Sequence, residues 1–401
     1  MDLKRFLKIL CSLELTVVCL AFAIILVFVG TLAQVEIGLY AAQARYFRSF
    51  VVLWNPPGTS FQIPVLPGGY LIGGVLLANL IAAHIKRFGF TKKKAGILMV
   101  HAGLILLLAG QLATDILQVE SAMRLTEGQA KSYSESQRYN ELAVLDTTNP
   151  EYNDVVAVPE HVLETQKAIH QPNLPFTIQV RNYYPNSDPQ SRRSSAAQGT
   201  QGVGQRLEFV QSPRTTRMDA RDVPAAELEI LDSKAASLGT WWVSPWLCDE
   251  ELFPLVLDRA DPATRAALLQ TQSFKIDSKT YELSLRPRRI YLPFFLRLLK
   301  FSHDRYMGTD IPKNFASRVQ LVRPATQEDR EVLIYMNNPL RYGGQTFYQA
   351  SFDKRDPRVT ILQVVRNPGW LTPYLACCLV GAGLLYQFLT HLIGFVKRRT
   401  A

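Results

Sequence analysis

Cysteine and histidine are both scarce in this 401-residue chain, with five of the first and six of the second. No pair of cysteines forms C-x-x-C and no C-x-x-C-H occurs, so the chain is neither a thiol–disulfide carrier nor itself a c-type cytochrome. Cys11, Cys19, Cys377 and Cys378 lie in or beside apolar stretches, and Cys248 stands alone in the polar part, which therefore holds no internal disulfide. Cys248 is read as a buried inert thiol, with a free thiol or a bond to a partner as the alternatives. Also absent are G-x-S-x-G, H-E-x-x-H, a P-loop and a dinucleotide fingerprint, which removes the hydrolases, zinc proteases and nucleotide enzymes that use them. His161, His170 and His303 have no Cys or His at zinc spacing and read as surface or hydrogen-bonded side chains. His303, in HDRYMGTDIP, is the most noticeable of the three. The net charge of +10 sits largely in short clusters, and no basic stripe is interleaved with aromatics, so no nucleic-acid partner is implied.

Four apolar stretches are present, and they set the class. They run from about Leu13 to Leu32, Tyr70 to His84, Ala95 to Thr114 and Trp370 to Ile393. Each reaches or approaches the roughly 20 residues that cross ~30 Å of hydrocarbon at ~1.5 Å per residue. Lys4, Arg5 and Lys8 precede the first; Lys86, Arg87, Lys92, Lys93 and Lys94 separate the second from the third; Lys397, Arg398 and Arg399 follow the fourth. The positive-inside rule puts all three clusters in the cytoplasm, against anionic headgroups of the lipid bilayer. Both termini are then cytoplasmic, and the large polar block is exported to the periplasm from a bacterial inner membrane. A signal peptide is the other reading of the first stretch. Its apolar core is too long for one, and Leu32-Ala33-Gln34 makes a poor cleavage site.

The expected fold is an integral membrane protein with four transmembrane helices and a large exported, mostly-β, antiparallel sandwich-like domain. The segments are 1–34 with the first helix, 35–69 as an aromatic-rich exported loop, 70–114 with helices two and three, 115–368 as the β-rich domain, and 369–401 with the last helix and its basic tail. The loop carries Tyr40, Tyr46, Phe47, Phe50, Trp54 and Phe61, which suit a segment on the outer headgroups or a contact surface for a partner or amphipathic substrate. In the large block, ELAVLD, PFTIQVRNYYP, AAELEILD, SFKID, TYELSLRPRRIYLP, SRVQLVRP, REVLIYM and RVTILQVVRNP read as short strands bounded by turn formers. Pro224 to Leu231 is ambiguous; Pro262 to Leu269 and Phe294 to Phe301 read as short helices. Asn186 to Gln205 is polar and rich in Gly and Ser, a flexible surface loop.

Imidazole at membrane depth is costly without a partner, which makes it a functional-site hypothesis. His84 closes the second stretch, His101 lies six residues past Ala95, and His391 ends the fourth. At ~1.5 Å per residue His101 sits roughly 9–10 Å below the cytoplasmic surface. His84 and His391 are placed to snorkel towards headgroups. His101, with Val100 before it and apolar residues after it, has no such escape and is the best candidate for an axial ligand of haem iron, with His84 second. Gly96, Gly103 and Gly110 recur on the same helix at a spacing that permits close helix packing. Glu14 and Asp115 read as interfacial residues.

Several stretches resemble the ResB/CcsB family of the system II cytochrome c maturation machinery. They are GTLAQ, HAGLILLLAG, MRLTEGQ with NELAVLD, YMGTDIPKNFASRV, and above all YMNNPLRYGGQTFYQASFD from Tyr335 to Asp353. The resemblance covers essentially the whole chain. It implies a complex with a CcsA-type haem-handling membrane protein that moves haem b across the membrane and attaches it to an apocytochrome c bearing C-x-x-C-H. It also implies an intramembrane histidine that ligates haem in transit, carried onto His101, with His84 the second possibility. The chain would be a subunit of a synthase rather than an enzyme by itself. Trp241, Trp242 and Trp246 do not reproduce the partner's tryptophan-rich motif. In the most distinctive stretch, Asn337, Asn338 and Pro339 start a turn, Leu340 and Tyr342 flank Arg341, Gly343 and Gly344 allow unusual backbone angles, and Phe347, Tyr348 and Gln349 alternate as in a strand. A tight hairpin near the membrane and a direct contact with haem or apocytochrome are both open readings. The rival functions are a di-haem b-type electron-transfer subunit using His84, His101 and His391, and a non-haem membrane scaffold that recruits a periplasmic partner.

Overall fold

Ser12 divides the first two helices. Its hydroxyl accepts the Leu15 N–H at 3.1 Å and caps α2, Leu13–Ile37, behind a short basic helix α1, Leu3–Leu10. The computed structural model describes residues 3–56, 61–87, 91, 94–192, 201–215, 221–305, 307, 312–353 and 355–400. Of the expected features, Lys92 and Lys93, residues 193–200 of the polar Gly/Ser-rich segment, and Tyr306 with Gly308 to Ile311 of the YMGTDIP stretch lie outside the described residues. The described part of the Gly/Ser-rich segment is not the loop expected, because Ser187–Ser191 pairs as a strand and Gly202–Gln205 forms a 3-10 turn. Gly38 ends α2 with φ 79°, and the aromatic segment beyond it is not a plain loop. It forms α3, Leu39–Ala42, a π turn over Gln43–Phe47, and the hairpin β1, Val51–Trp54, with β2, Ile63–Pro67. Two long helices follow, α4, Gly69–Arg87, and α5, Ala95–Leu117.

The strand-rich part then runs through β3 (Val119–Thr126), β4 (Ala130–Asp146), β5 (Asp154–Pro159), α6 (Glu160–Thr165), β6 (Ala168–His170), β7 (Thr177–Tyr184), β8 (Ser187–Ser191), β9 (Leu207–Gln211), β10 (Ala225–Leu231) and β11 (Ser237–Val243). It continues with α7 (Phe253–Arg259), α8 (Pro262–Leu268), β12 (Ser273–Ile276), β13 (Lys279–Arg305), β14 (Pro312–Arg323), β15 (Glu328–Tyr335), β16 (Leu340–Tyr342), β17 (Gln345–Phe352) and β18 (Val359–Arg366). The chain closes with α9, Thr372–Thr400. Helices α2, α4, α5 and α9 are long and apolar enough to cross a membrane.

One large antiparallel sheet, ordered β15–β14–β13–β4–β3–β18–β17–β16 with β12 beside β13 and β5 beside β4, carries the domain. Strand β13 is long enough to serve two cores, and β4 runs beside it through both halves of the sheet. In the first half, Leu142, Val144, Leu283 and Leu285 pack against Ile178, Leu228 and Ile230 of a second sheet, β11–β10–β7–β6, as a sandwich. In the other half the sheet rolls until β15 meets β17, and encloses Met123, Leu125, Phe294, Leu296, Val319, Leu321, Phe347 and Leu362. The register between β4 and β13 slips from Pro287 to Arg289 and again from Tyr291 to Leu296, where the strand passes from one core to the other. Such bulges bend a strand and sharpen its twist.

Two sequence expectations change here. Phe294 to Phe301 is strand, not helix: Leu292, Phe294, Leu296 and Leu298 point into the core while Pro293, Phe295 and Arg297 point out, the period of two that a strand requires. The separate short strands expected over SFKID and TYELSLRPRRIYLP are β12 and the first part of the 27-residue β13. Pro224 to Leu231 resolves to strand β10, and Pro262 to Leu268 is the expected helix, capped by Asp261, whose carboxylate accepts from the Ala263 and Thr264 N–H groups.

Candidate paired-histidine site

The site begins with how α5 is turned. A Cβ at Gly96 would lie 2.6 Å from the Gly383 carbonyl oxygen, at Gly103 2.5 Å from Val380 Cγ2, and at Gly110 2.3 Å from Thr372 Cγ2. These three glycines let α5 lie directly on α9, as small residues do at tight membrane-helix crossings. At ~3.6 residues per turn, His101 stands on roughly the opposite side of α5 from Gly103 and Gly110 and so faces away from α9, towards α4. There its ring meets that of His84, with centroids 6.2 Å apart and planes inclined by 52°.

His101 Nδ1 lies 2.8 Å from the carbonyl oxygen of Ile97, one turn back on the same helix. A carbonyl only accepts, so Nδ1 carries the proton and the lone pair is on Nε2. That is the tautomer in which an imidazole offers Nε2 to a metal while its other nitrogen is held by a hydrogen bond. Both rings are half-buried. The pair therefore has the donor atoms and one fixed tautomer that suit an axial haem ligand. Among the described residues no group of three or more His, Cys, Asp and Glu is arranged to hold a metal ion, so the pair is not part of a closed site.

His391 is placed elsewhere. It lies on α9 with its Nε2 2.7 Å from Gln387 Nε2, one turn beyond the contact between Gln387 and Gly96. The structure thus brings together two of the three membrane histidines. Of the others, His170 meets the Thr177 hydroxyl at 3.0 Å, and His303 is stacked among Phe315 and Phe352, with centroids at 5.0 and 4.3 Å.

At the end of α4 and α5 nearest the β domain is a group that sequence reasoning missed. Asp115, expected as a simple interfacial residue, accepts the Tyr70 hydroxyl at 2.5 Å and pairs with Arg48 at 2.8 Å. Asn79 was missed as well, although a lone amide in an apolar stretch is a visible signal. It is 3% exposed, accepts the Thr16 hydroxyl at 2.7 Å and donates to the carbonyls of Leu10 and Ser12, on either side of the break between α1 and α2.

The Tyr335–Asp353 stretch is placed as a hairpin at the same end of the domain. Leu340 pairs with Phe347 and Tyr342 with Gln345, around a turn in which Gly343 and Gly344 have φ 59° and 74°. A Cβ at Gly343 would also strike the Phe294 ring at 2.8 Å. Asn337, at φ 61°, begins the approach; Asn338 forms an isolated bridge with Tyr335, and Pro339 leads into β16. Leu340 and Phe347 belong to the rolled core, and the Tyr342 ring packs edge-on against Phe294 at 4.9 Å while its hydroxyl donates to Glu328. Gln349 joins Ser317 and Thr360 in a closed hydrogen-bond set, and Tyr348 faces outward. Thr346 sits opposite Val365, next to the start of α9. These residues build and fasten a hairpin.

Residues 265–361, which contain that hairpin and most of the rolled half, match the model of the ResB-like family. The chain is similar to the ResB family. It is also 39% identical over 124 residues to Protein NrfI of Wolinella succinogenes, a match covering 31% of this chain and 14% of that protein. The chain thus spans about a seventh of NrfI in the matched region. The ResB-like match contains two of the stretches that carried the resemblance, YMGTDIPKNFASRV and Tyr335–Asp353, while GTLAQ, HAGLILLLAG and MRLTEGQ with NELAVLD lie outside it.

Cys248 is exposed as a residue, but its thiol turns inward and donates to the Leu285 carbonyl at 3.3 Å. Burial pushes that thiol up to about 11, which leaves little thiolate for chemistry at neutral pH.

Proposed function

We propose that this ResB-like chain is a subunit of the system II cytochrome c maturation machinery. With a CcsA-type partner it moves haem across the bacterial inner membrane and supports its covalent attachment to an apocytochrome c. The observation that carries the haem reading is His101, held in one tautomer against Ile97 and facing His84 across the α4–α5 boundary. Haem is the cargo; the chain contributes an imidazole that binds its iron, helices that keep it out of water, and a domain that stands over the bundle.

The positive-inside rule supports the orientation. Lys4 and Lys8 on α1, Lys86 on α4, Lys94 before α5 and Lys397 on α9 lie at the end of the bundle away from the β domain. On this reading the His84–His101 pair lies in the cytoplasmic half, where haem made in the cytoplasm arrives. The chain's part is binding and positioning, and the thioether bonds form at the two cysteines of the client, so it acts as a non-catalytic subunit. The di-haem reading is weaker because His391 stands apart from the pair with Gln387.

The test is to co-express the chain with a CcsA-type subunit, purify the complex and record its haem spectrum for wild type, His101→Ala and His84→Ala. Loss of co-purified haem and of c-type cytochrome in His101→Ala supports the reading. Unchanged haem and normal cytochrome assembly in both variants would sink it and leave a scaffold.

A further inference from the structure

The four long helices pack in the order α2–α4–α5–α9, most extensively between α5 and α9. Helix α5 lies on α9 along its glycines, and α2 is tied to α4 through Asn79 and through Cys19 and Leu26 packing on Ile72. Contact between α4 and α5 is far less extensive than that between α5 and α9, and comparable to that between α2 and α4. Along α4, a Cβ built at Gly73 or Gly74 would meet nothing within 4 Å, so the space beside those two positions is open.

Two side-chain contacts across the α4–α5 boundary stand at its two ends. At the basic end it is the ring pair His84–His101. At the end near the β domain it is Asp115 of α5, with one carboxylate oxygen on the Tyr70 hydroxyl of α4 and the other on Arg48. Tyr70 precedes His84 on α4 by the same interval as that by which Asp115 follows His101 on α5. At ~3.6 residues per turn that interval is close to a whole number of turns, so on both helices the two contact residues share one face. Arg48 is itself fixed to the start of α4. A Cβ at Gly68 or Gly69 would fall 2.1 Å from the Ser49 carbonyl oxygen or 2.3 Å from that of Phe47, so both glycines let the backbones touch on either side of Arg48. Tyr70 also packs on Phe50, with centroids 5.8 Å apart.

We propose that Arg48, Tyr70 and Asp115 are positioning residues for the His84–His101 pair. Asp115 sets how far the α5–α9 pair is rotated relative to the α2–α4 pair, and that rotation decides whether the imidazoles meet at the other end. The lever is axial rotation. A side chain ~5–6 Å from a helix axis moves ~3 Å for each ~30° of turn, which is about half of the present ring separation. The inference rests on the haem reading above and extends it to residues about 21 Å along the helices from the rings, at ~1.5 Å per residue.

The experiment uses the purified complex with its CcsA-type partner and three variants, Tyr70→Phe, Asp115→Leu and Asp115→Glu, beside His101→Ala. Haem per mole of protein, the absorption bands that report axial ligation, and the melting temperature are measured on each. Tyr70→Phe removes only the hydroxyl and should cut retained haem about three- to tenfold, the ordinary net worth of one hydrogen bond. The ligation bands of what remains should shift, Asp115→Leu should do the same or more, and Asp115→Glu should restore both. Lower yield with an unshifted spectrum would mean that the clamp only supports the fold, and would overturn the proposal. So would wild-type haem in Tyr70→Phe and Asp115→Leu when His101→Ala loses it, a result that leaves the haem reading standing. Wild-type haem in His101→Ala as well overturns both.

Discussion

The guanidinium of Arg341 lies 4.5 Å from the centroid of the Trp370 ring and ties the β16–β17 hairpin to the start of α9. Arg341 is the one charged side chain in the Asn337–Gly344 stretch, and Trp370 is the first aromatic of the last apolar stretch. The contact therefore joins the most family-like segment of the domain to the membrane part.

A double-mutant cycle should detect that contact. Arg341→Ala and Trp370→Leu are expected to couple by about 0.5–1 kcal/mol, the range for a cation–π pair at a partly exposed site. Denaturant unfolding of the purified protein measures it, and strictly additive losses would mean that the two groups do not interact.

Gly103 and Gly381 should respond oppositely to added side chains. Gly103→Val drives a methyl group into Val380 and the Ala376 carbonyl, whereas a Cβ at Gly381 meets nothing within 4 Å. Overpacking of this kind costs about 1–3 kcal/mol. Gly103→Val should therefore expose α5 and α9 to protease in isolated membranes, and Gly381→Ala should digest like wild type.

Glu141 and Arg286 form a buried pair at 3.1 Å, with side chains 9% and 6% exposed. Removing one partner strands the other charge. Glu141→Leu alone should cost about 3–5 kcal/mol, while Glu141→Leu with Arg286→Met should recover much of it, because well-packed apolar pairs replace buried ion pairs at little net cost. Chemical unfolding of the three variants decides it. A double variant no better than the single would argue that Arg286 is not burdened by the loss.

Asp146 accepts from Lys279 at 2.8 Å and from the Thr148 hydroxyl, and these hydrogen bonds hold its carboxyl at about 2. The folded value lies below the unfolded one of ~3.9, so the folded state binds fewer protons between them. The stabilisation is fully present above about pH 4 and disappears as pH falls through about 2. The gap in melting temperature between wild type and Asp146→Asn should therefore be widest near pH 5 and close towards pH 2. A constant gap would assign the effect to something other than the carboxylate charge. The pair is exposed, so the gap will be small.

The membrane part was legible because length and apolarity alone define a span. His101 stood out because an imidazole between Val100 and a run of leucines has nowhere to go. Its pairing with His84 was not legible, since it depends on which face of α5 the three glycines turn towards α9. Nor was the Asp115 clamp, whose members Arg48 and Tyr70 come from the aromatic segment and from the far end of α4. In the domain, β13 is hard to read where Phe295 and Tyr291, both large and apolar, point outward and hide the alternation beneath. The rolled shape depends on pairings such as β3 with β18, which open and close the domain's sequence, and local pattern carries no trace of them.

A single residue, Gln118, separates α5 from β3, and five separate β18 from α9. Those two strands pair with each other, Val119 opposite Arg366, directly above two helices that are themselves pressed together, and Asn367 ties the junction to Gln118 at 3.3 Å. A domain on one flexible linker sweeps out a cone and meets its neighbours at random headings. This one stands on two legs side by side and keeps a fixed compass bearing. Whatever sits beside α5 and α9 faces the same flank of the large sheet at every encounter, so its surface residues sort by direction, and only one flank is within reach of any given neighbour.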